Sequence, residues 1–151
     1  DDIINRFQDE PTRFEEYCAG LFRAYGYTAT VTPPARDGGY DIFLERGGMT
    51  WIVECKLYGR GHRVGRPVLQ KLYGANSGIG ADGMIVVTTS GYSADALAYA
   101  SDTGIETIDG DRLVDMCRAA WGTRRPQAIL PAAMATLTRS ELRSGYPADM
   151  R

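Results

Sequence analysis

The sequence predicts an α/β fold, a central mixed β-sheet flanked by helices on both faces. Three observations carry this reading. Apolar residues recur at helical spacing in some segments and alternate at strand spacing in others, in the order helix, three strands, helix, strand, helix, strand, helix. Gly47-Gly48 separates two β-like runs, the signature of a tight antiparallel hairpin. Met84 to Thr88 is a short, largely β-branched apolar run, the pattern of a strand buried on both faces.

Each element has its own signal. Phe14, Tyr17, Cys18, Leu21, Phe22 and Tyr25 form one apolar stripe at three- and four-residue intervals. Pro11 or Thr12 opens that helix and Gly26 closes it. Tyr27 to Thr32 alternates and reads as a strand; Pro33-Pro34 and Asp37-Gly38-Gly39 then read as a loop, with Asp37 a turn residue. Tyr40 to Arg46 and Met49 to Leu57 are the hairpin strands. After a Gly- and Arg-rich loop, Tyr58 to Gly65, a helix opens near Pro67 with Val68, Leu69, Leu72 and Tyr73 on its apolar side. Ser93 is an N-cap for an Ala-rich helix to Ala100, with Asp95 at its positive end. Ile105 to Ile108 reads as a strand. Asp111 to Trp121 reads as a last helix with Leu113, Val114, Cys117 and Trp121 facing inward. Residues 1–121 form one domain, and 122–151 form an extension or linker with three prolines and a possible helix from Leu137 to Leu142.

Composition narrows the class. A chain of 151 residues with 44% hydrophobic and 24% charged residues is an ordinary globular domain, not a disordered or fibrous chain. The longest apolar runs are a few residues, too short to span a membrane. Cys18, Cys55 and Cys117 lie far apart, which fits a reducing compartment and excludes a CxxC zinc or redox site. The opening Asp1-Asp2-Ile3-Ile4 is not a signal peptide, and a start without Met is what a piece of a longer chain would show.

The formal charge of −2 hides an asymmetry. Residues 46–71 carry six bases against one acid, residues 95–117 six acids against one base, and residues 118–151 six arginines against two acids. The first run gives a face able to meet a polyanion. Solvated faces would carry the same charges.

The hairpin brings chemistry together. With Gly47-Gly48 as the two-residue turn, Arg46 faces Met49 and Asp41 faces Glu54. Two carboxylates so close repel, and a divalent cation reverses that sign by needing several hard oxygen ligands. Lys56 shares the face of Glu54, while Cys55 points the other way with Val53 and Trp51. Asp41, Glu54 and the Cys55 backbone carbonyl would thus hold Mg²⁺. Lys56 would orient a water or neutralise charge on a phosphate. Arg60, Arg63 and Arg66 follow, placed to track a nucleic-acid backbone. An ordinary exposed hairpin could also carry Asp, Glu and Lys; the pairing of the acids beside a basic loop favours the nuclease reading. His62, the one histidine, reads as a phosphate contact in that loop. Thr88, Thr89 and Ser90, at a strand end, could bond a phosphate or cap the following helix. Glu16 points about 100° from Glu15 and is solvated. Gly78-Ile79-Gly80 follows a helix and is no dinucleotide loop, and Gly91-Tyr92-Ser93 lacks the second glycine and the histidine of a serine hydrolase.

Phe14-Glu15, Leu21, Gly26-Tyr27, Asp37 to Asp41, Val53-Glu54-Cys55-Lys56, Val68 to Ala75, Val87 to Ser93 and Gly104 to Leu113 occur in the order and spacing of a known domain. Over about residues 10–120 the chain resembles the Mrr-type restriction endonuclease domain of the PD-(D/E)xK nuclease superfamily. The resemblance implies a restriction-endonuclease-like α-β-β-β-α-β core and Mg²⁺-dependent cleavage of DNA, with Mn²⁺ a possible substitute. It implies Asp41, Glu54 and Lys56 as catalytic residues, Glu15 as a further acid completing the metal shell, and Gln70 lining the site from the next helix. Arg60, His62, Arg63, Arg66, Lys71, Thr88, Thr89 and Ser90 are the expected DNA contacts. It further implies a homodimer or higher oligomer, a separate recognition or regulatory domain, and a bacterial cytoplasmic setting in restriction or anti-phage defence. The alternative is a non-catalytic DNA-binding or assembly module with the same fold.

Overall fold

The structure, a computed structural model, describes residues 2–7, 10–33 and 38–122. The expected extension over 122–151 lies outside them apart from Gly122, as does Asp37. The elements are α1 (Asp2–Phe7), α2 (Pro11–Ala24), β1 (Thr28–Val31), β2 (Ile42–Arg46), β3 (Met49–Lys56), α3 (Arg66–Ile79), β4 (Gly83–Thr88), α4 (Ala94–Thr103), β5 (Glu106–Ile108) and α5 (Gly110–Trp121). They make one five-stranded sheet in the order β1-β2-β3-β4-β5. The first three strands pair antiparallel and the last three parallel, so the sheet is mixed, as the sequence predicts.

The hairpin register is the predicted one, with Arg46 opposite Met49 and Ile42 opposite Val53. Gly47 and Gly48 take φ of 60° and 83°, the left-handed pair that a tight hairpin turn requires. The β3-α3-β4 and β4-α4-β5 crossovers lay α3 and α4 side by side on one face, which the common handedness of such units dictates. There Ile52, Val86, Leu69, Leu72 and Ala96 form one core. On the other face α2 and α5 cover Leu44, Val53, Cys55, Ile85 and Val87. β4 feeds both cores with alternate residues, so it is buried on both sides.

Polar ties fix the layers. Tyr25 donates to the Met116 carbonyl at 2.9 Å, joining α2 to α5. Tyr92 lies under the sheet end, donating to the carbonyls of Val86 at 2.8 Å and Ile108 at 2.9 Å. Ser93 caps α4 by accepting from the Ala96 N–H. One sequence expectation about the core needs correction, and one element, α1, is unexpected. Val114 is exposed, and Met116 takes the inward position beside Leu113 and Cys117, following the three- and four-residue spacing of a helix. The short α1 has no periodic stripe; Phe7 holds it by packing on Phe14 and Tyr17, with ring centroids 5.9 and 5.1 Å apart.

Candidate active site

β3 ends at the middle of the sheet, and its last residues carry the polar cluster. Asp41 stands just before β2; its N–H donates at 2.8 Å to the carbonyl of Val53, the residue already paired with Ile42 at the end of the hairpin. Its Oδ2 accepts the Cys55 N–H at 2.7 Å. That bond presses the carboxylate against the strand bearing Glu54 and Lys56. Glu54 and Lys56 face the same side and pair at 3.4 Å between Oε2 and Nζ. Cys55, on the other side, packs into the α2–α5 core.

Glu15 reaches the same place from the first turns of α2, with a side-chain hydrogen bond to Asp41. Glu16 is exposed, as its helical phase requires. The three acids perturb one another. Burial, then the Asp41 charge, pushes Glu15 up to about 7. Burial, then Asp41, pushes Glu54 to about 7, against the pull of Lys56 and Lys71. Asp41 is raised by burial, although the Cys55 N–H and both lysines oppose the shift. Three carboxyls gathered in one half-buried place resist ionising together, and the two lysines offset this only in part.

A cleft of about 210 Å³ opens beside Glu54 and Lys56, walled by Gly39, Pro67, Val68, Lys71 and Leu72. Gly39 has φ of 86°, and a Cβ there would stand 2.8 Å from the Ala75 Cβ, so glycine lets this loop close on α3. The charged α3 residue in the cleft wall is Lys71. Gln70, expected to line the site, is exposed and absent from the wall, because one helical step turns a side chain by about 100°.

The expected DNA contacts divide. Arg60, His62 and Arg63 lie exposed on the loop after β3. Arg63 also donates to the Tyr92 carbonyl at 3.3 Å. Arg66 turns toward α4, pairing with Asp95 at 3.3 Å and lying over the Tyr99 ring. Thr88 is fully buried and donates to the Lys56 carbonyl at 2.8 Å, so it braces the strand end and cannot reach a ligand on the surface. Thr89 and Ser90 likewise spend their hydroxyls on loop backbone. Tyr58, which sequence reasoning passed over, stacks on His62; the signal was the alternation Glu54, Lys56, Tyr58 along one face.

The donor set suits a hard divalent cation. Among the described residues no three His, Cys, Asp or Glu side chains enclose a metal by themselves. Mg²⁺ asks for less: one or two carboxylates, with waters and phosphate oxygens in the other positions. Asp41 and Glu54 could supply those carboxylates, and their mutual repulsion is what a cation would relieve.

The chain is similar to known proteins in sequence and in fold. The restriction endonuclease family Mrr_cat matches residues 8–117. The chain is 33% identical over 126 residues to the type IV methyl-directed restriction enzyme EcoKMrr of Escherichia coli (strain K12), covering 77% of this chain and 41% of that one. It therefore spans about two fifths of that relative's length. Among solved structures, the DNA modification-dependent restriction endonuclease AspBHI matches with a TM-score of 0.67 and 24% identity, over 97% of this chain and 38% of its own. MspJI restriction endonuclease, solved with a 27-mer oligonucleotide, matches with a TM-score of 0.58 and 15% identity, over 74% and 28%. These two likenesses establish the fold: a restriction-endonuclease-like mixed sheet flanked by helices. No helix of the described residues is long and apolar enough to cross a membrane.

Proposed function

Because this chain belongs to the Mrr_cat family of restriction endonucleases, we propose that it is a Mg²⁺-dependent DNA endonuclease, the cutting domain of a bacterial restriction or anti-phage protein. The observation that supports the reading is the 2.7 Å bond from the Cys55 N–H to Asp41, which holds one acid against the strand that carries Glu54 and Lys56.

Asp41, Glu54 and the Cys55 carbonyl would hold Mg²⁺ or Mn²⁺, with Glu15 completing the shell directly or through water. Bound there, the ion supplies Lewis acidity to a phosphoryl oxygen and lowers the pKa of a water. Lys56 does the rest from the strand. Its ammonium, on the Glu54 side of β3, donates to the attacking water or to a phosphate oxygen gaining charge. Lys71, across the cleft, adds a second positive charge on the path of the phosphate. Arg60 and Arg63 continue that path along the exposed loop and meet backbone phosphates outside the cleft, with His62 between them facing the DNA.

Sequence choice would fall to another domain or partner. Cutting both strands would need two such sites, so the working form is a homodimer or higher assembly in the bacterial cytoplasm. The test is incubation of supercoiled plasmid with the protein in Mg²⁺, in Mn²⁺ and in EDTA. Nicking or linearisation confined to the two metals supports the reading. DNA retention in a gel shift with no cleavage in any of the three would instead favour a non-catalytic binding module.

A further inference from the structure

The loop after β3 carries more order than a charged surface loop needs. The rings of Tyr58 and His62 are stacked, with centroids 4.1 Å apart and planes 6° from parallel. His62 is exposed, so the stacked pair is reached from solvent. Both residues are held by backbone clamps from the end of β4. Thr89 Oγ1 accepts the Tyr58 N–H at 2.9 Å and donates to the Tyr58 carbonyl at 2.8 Å. Ser90 Oγ donates to the His62 carbonyl at 2.7 Å, and the His62 N–H donates to the Gly59 carbonyl at 2.9 Å. Val64, just beyond, bridges to Gly91 and Ser93. The whole segment is thereby tied to the sheet that carries Glu54 and Lys56.

A clamped pair of parallel rings that is exposed at His62, flanked by Arg60 and Arg63 and two residues beyond Lys56, has the chemistry of a base-stacking surface. Aromatic faces accept any nucleobase, and cations beside them hold the phosphates. A prepaid loop conformation keeps the ordering cost of binding low. We propose that Tyr58 and His62 form a stacking platform for an unpaired nucleobase next to the scissile phosphate. The preferred substrate is then DNA with a locally opened base, and Thr89 and Ser90 are the positioning residues of the platform. The proposal rests on the nuclease reading, and it adds which structural feature of DNA the domain favours.

The test uses the full chain in EDTA, so that binding is read without cleavage. The probes are two duplexes of one sequence, one fully paired and one with a single bulged 2-aminopurine. The expected result is at least about five-fold tighter binding of the bulged duplex, the low end of what stacking one base supplies, with quenching of the 2-aminopurine. His62→Ala should abolish the preference and the quenching, and His62→Phe should keep both. His62 is exposed, so neither change removes a core contact; a thermal melt of each variant verifies that. Equal affinity of the wild type for both duplexes, or a preference that survives His62→Ala, overturns the platform and leaves the nuclease reading standing if plasmid is still cut in Mg²⁺. No binding to either duplex, with no cleavage of plasmid, overturns both.

Discussion

The backbone N–H of Cys55 and the carboxylate of Asp41 are joined by a 2.7 Å hydrogen bond. It links the residue before β2 to the strand that carries Glu54 and Lys56, and it occupies only one carboxylate oxygen. The position therefore has a structural and a chemical task that a substitution can separate. Asp41→Asn keeps an oxygen to accept the Cys55 N–H and removes the charge. Cleavage in Mg²⁺ should fall at least about 100-fold, as loss of a charge-stabilising group does, with the melting temperature in EDTA unchanged or higher. Paired plasmid assays and thermal melts check this; a fall in melting temperature would give Asp41 a mainly structural role.

Glu54 and Glu15 titrate near 7 in the fold, raised first by burial. Unfolded glutamates titrate near 4.3. The folded state then binds more protons than the unfolded state between about 4.5 and 7, so stability falls as pH rises through that window. In EDTA the melting temperature of the wild type relative to Glu54→Gln should be higher at pH 5 than at pH 7.5. Mg²⁺ should stabilise the wild type more at pH 8 than at pH 5.5, because it replaces the protons the acids have lost. A cation effect independent of pH would contradict this account.

Lys56 is paired with Glu54 at 3.4 Å while keeping about a third of its side chain exposed. Such pairs contribute at most about 1 kcal/mol to stability. Lys56→Ala should therefore leave the melting temperature within a few degrees while reducing cleavage about 100-fold or more. Circular dichroism melts beside a cleavage time course separate the two effects.

Gly39 is the tightest backbone approach at the cleft, with φ of 86° and the Ala75 side chain against it. Gly39→Ala places a Cβ in the left-handed region and against α3. It should destabilise the fold by about 1–2 kcal/mol. It should also lower cleavage by displacing Asp41, two residues along. Urea unfolding measures the first effect; an unchanged midpoint would mean the loop simply moves away.

Much of this site was legible because it follows from alternation. Once Gly47-Gly48 is read as a two-residue turn, the register pairs Ile42 with Val53, brings Asp41 to the end of the ladder near Glu54 and sends Cys55 to the opposite core. Ser93 was legible as a cap for the same local reason. What escaped depends on tertiary packing. α1 stands on Phe7 meeting Phe14 and Tyr17, which no local pattern announces. Thr88 reads as a surface hydroxyl until β4 is seen to lie between two strands with its end covered. Lys71 rather than Gln70 walls the cleft because helix phase, set by burial of Leu69 and Leu72, decides which neighbour faces the strand.

The central claim is that Asp41, Glu54 and Lys56 form one metal-dependent nuclease centre. Its most direct test is cleavage of supercoiled plasmid in Mg²⁺ by the wild type, Asp41→Asn and Lys56→Ala, with DNA retention measured on the same samples. The account predicts cutting by the wild type alone and retention of DNA by all three. Cutting that survives in either variant at the wild-type rate would contradict it.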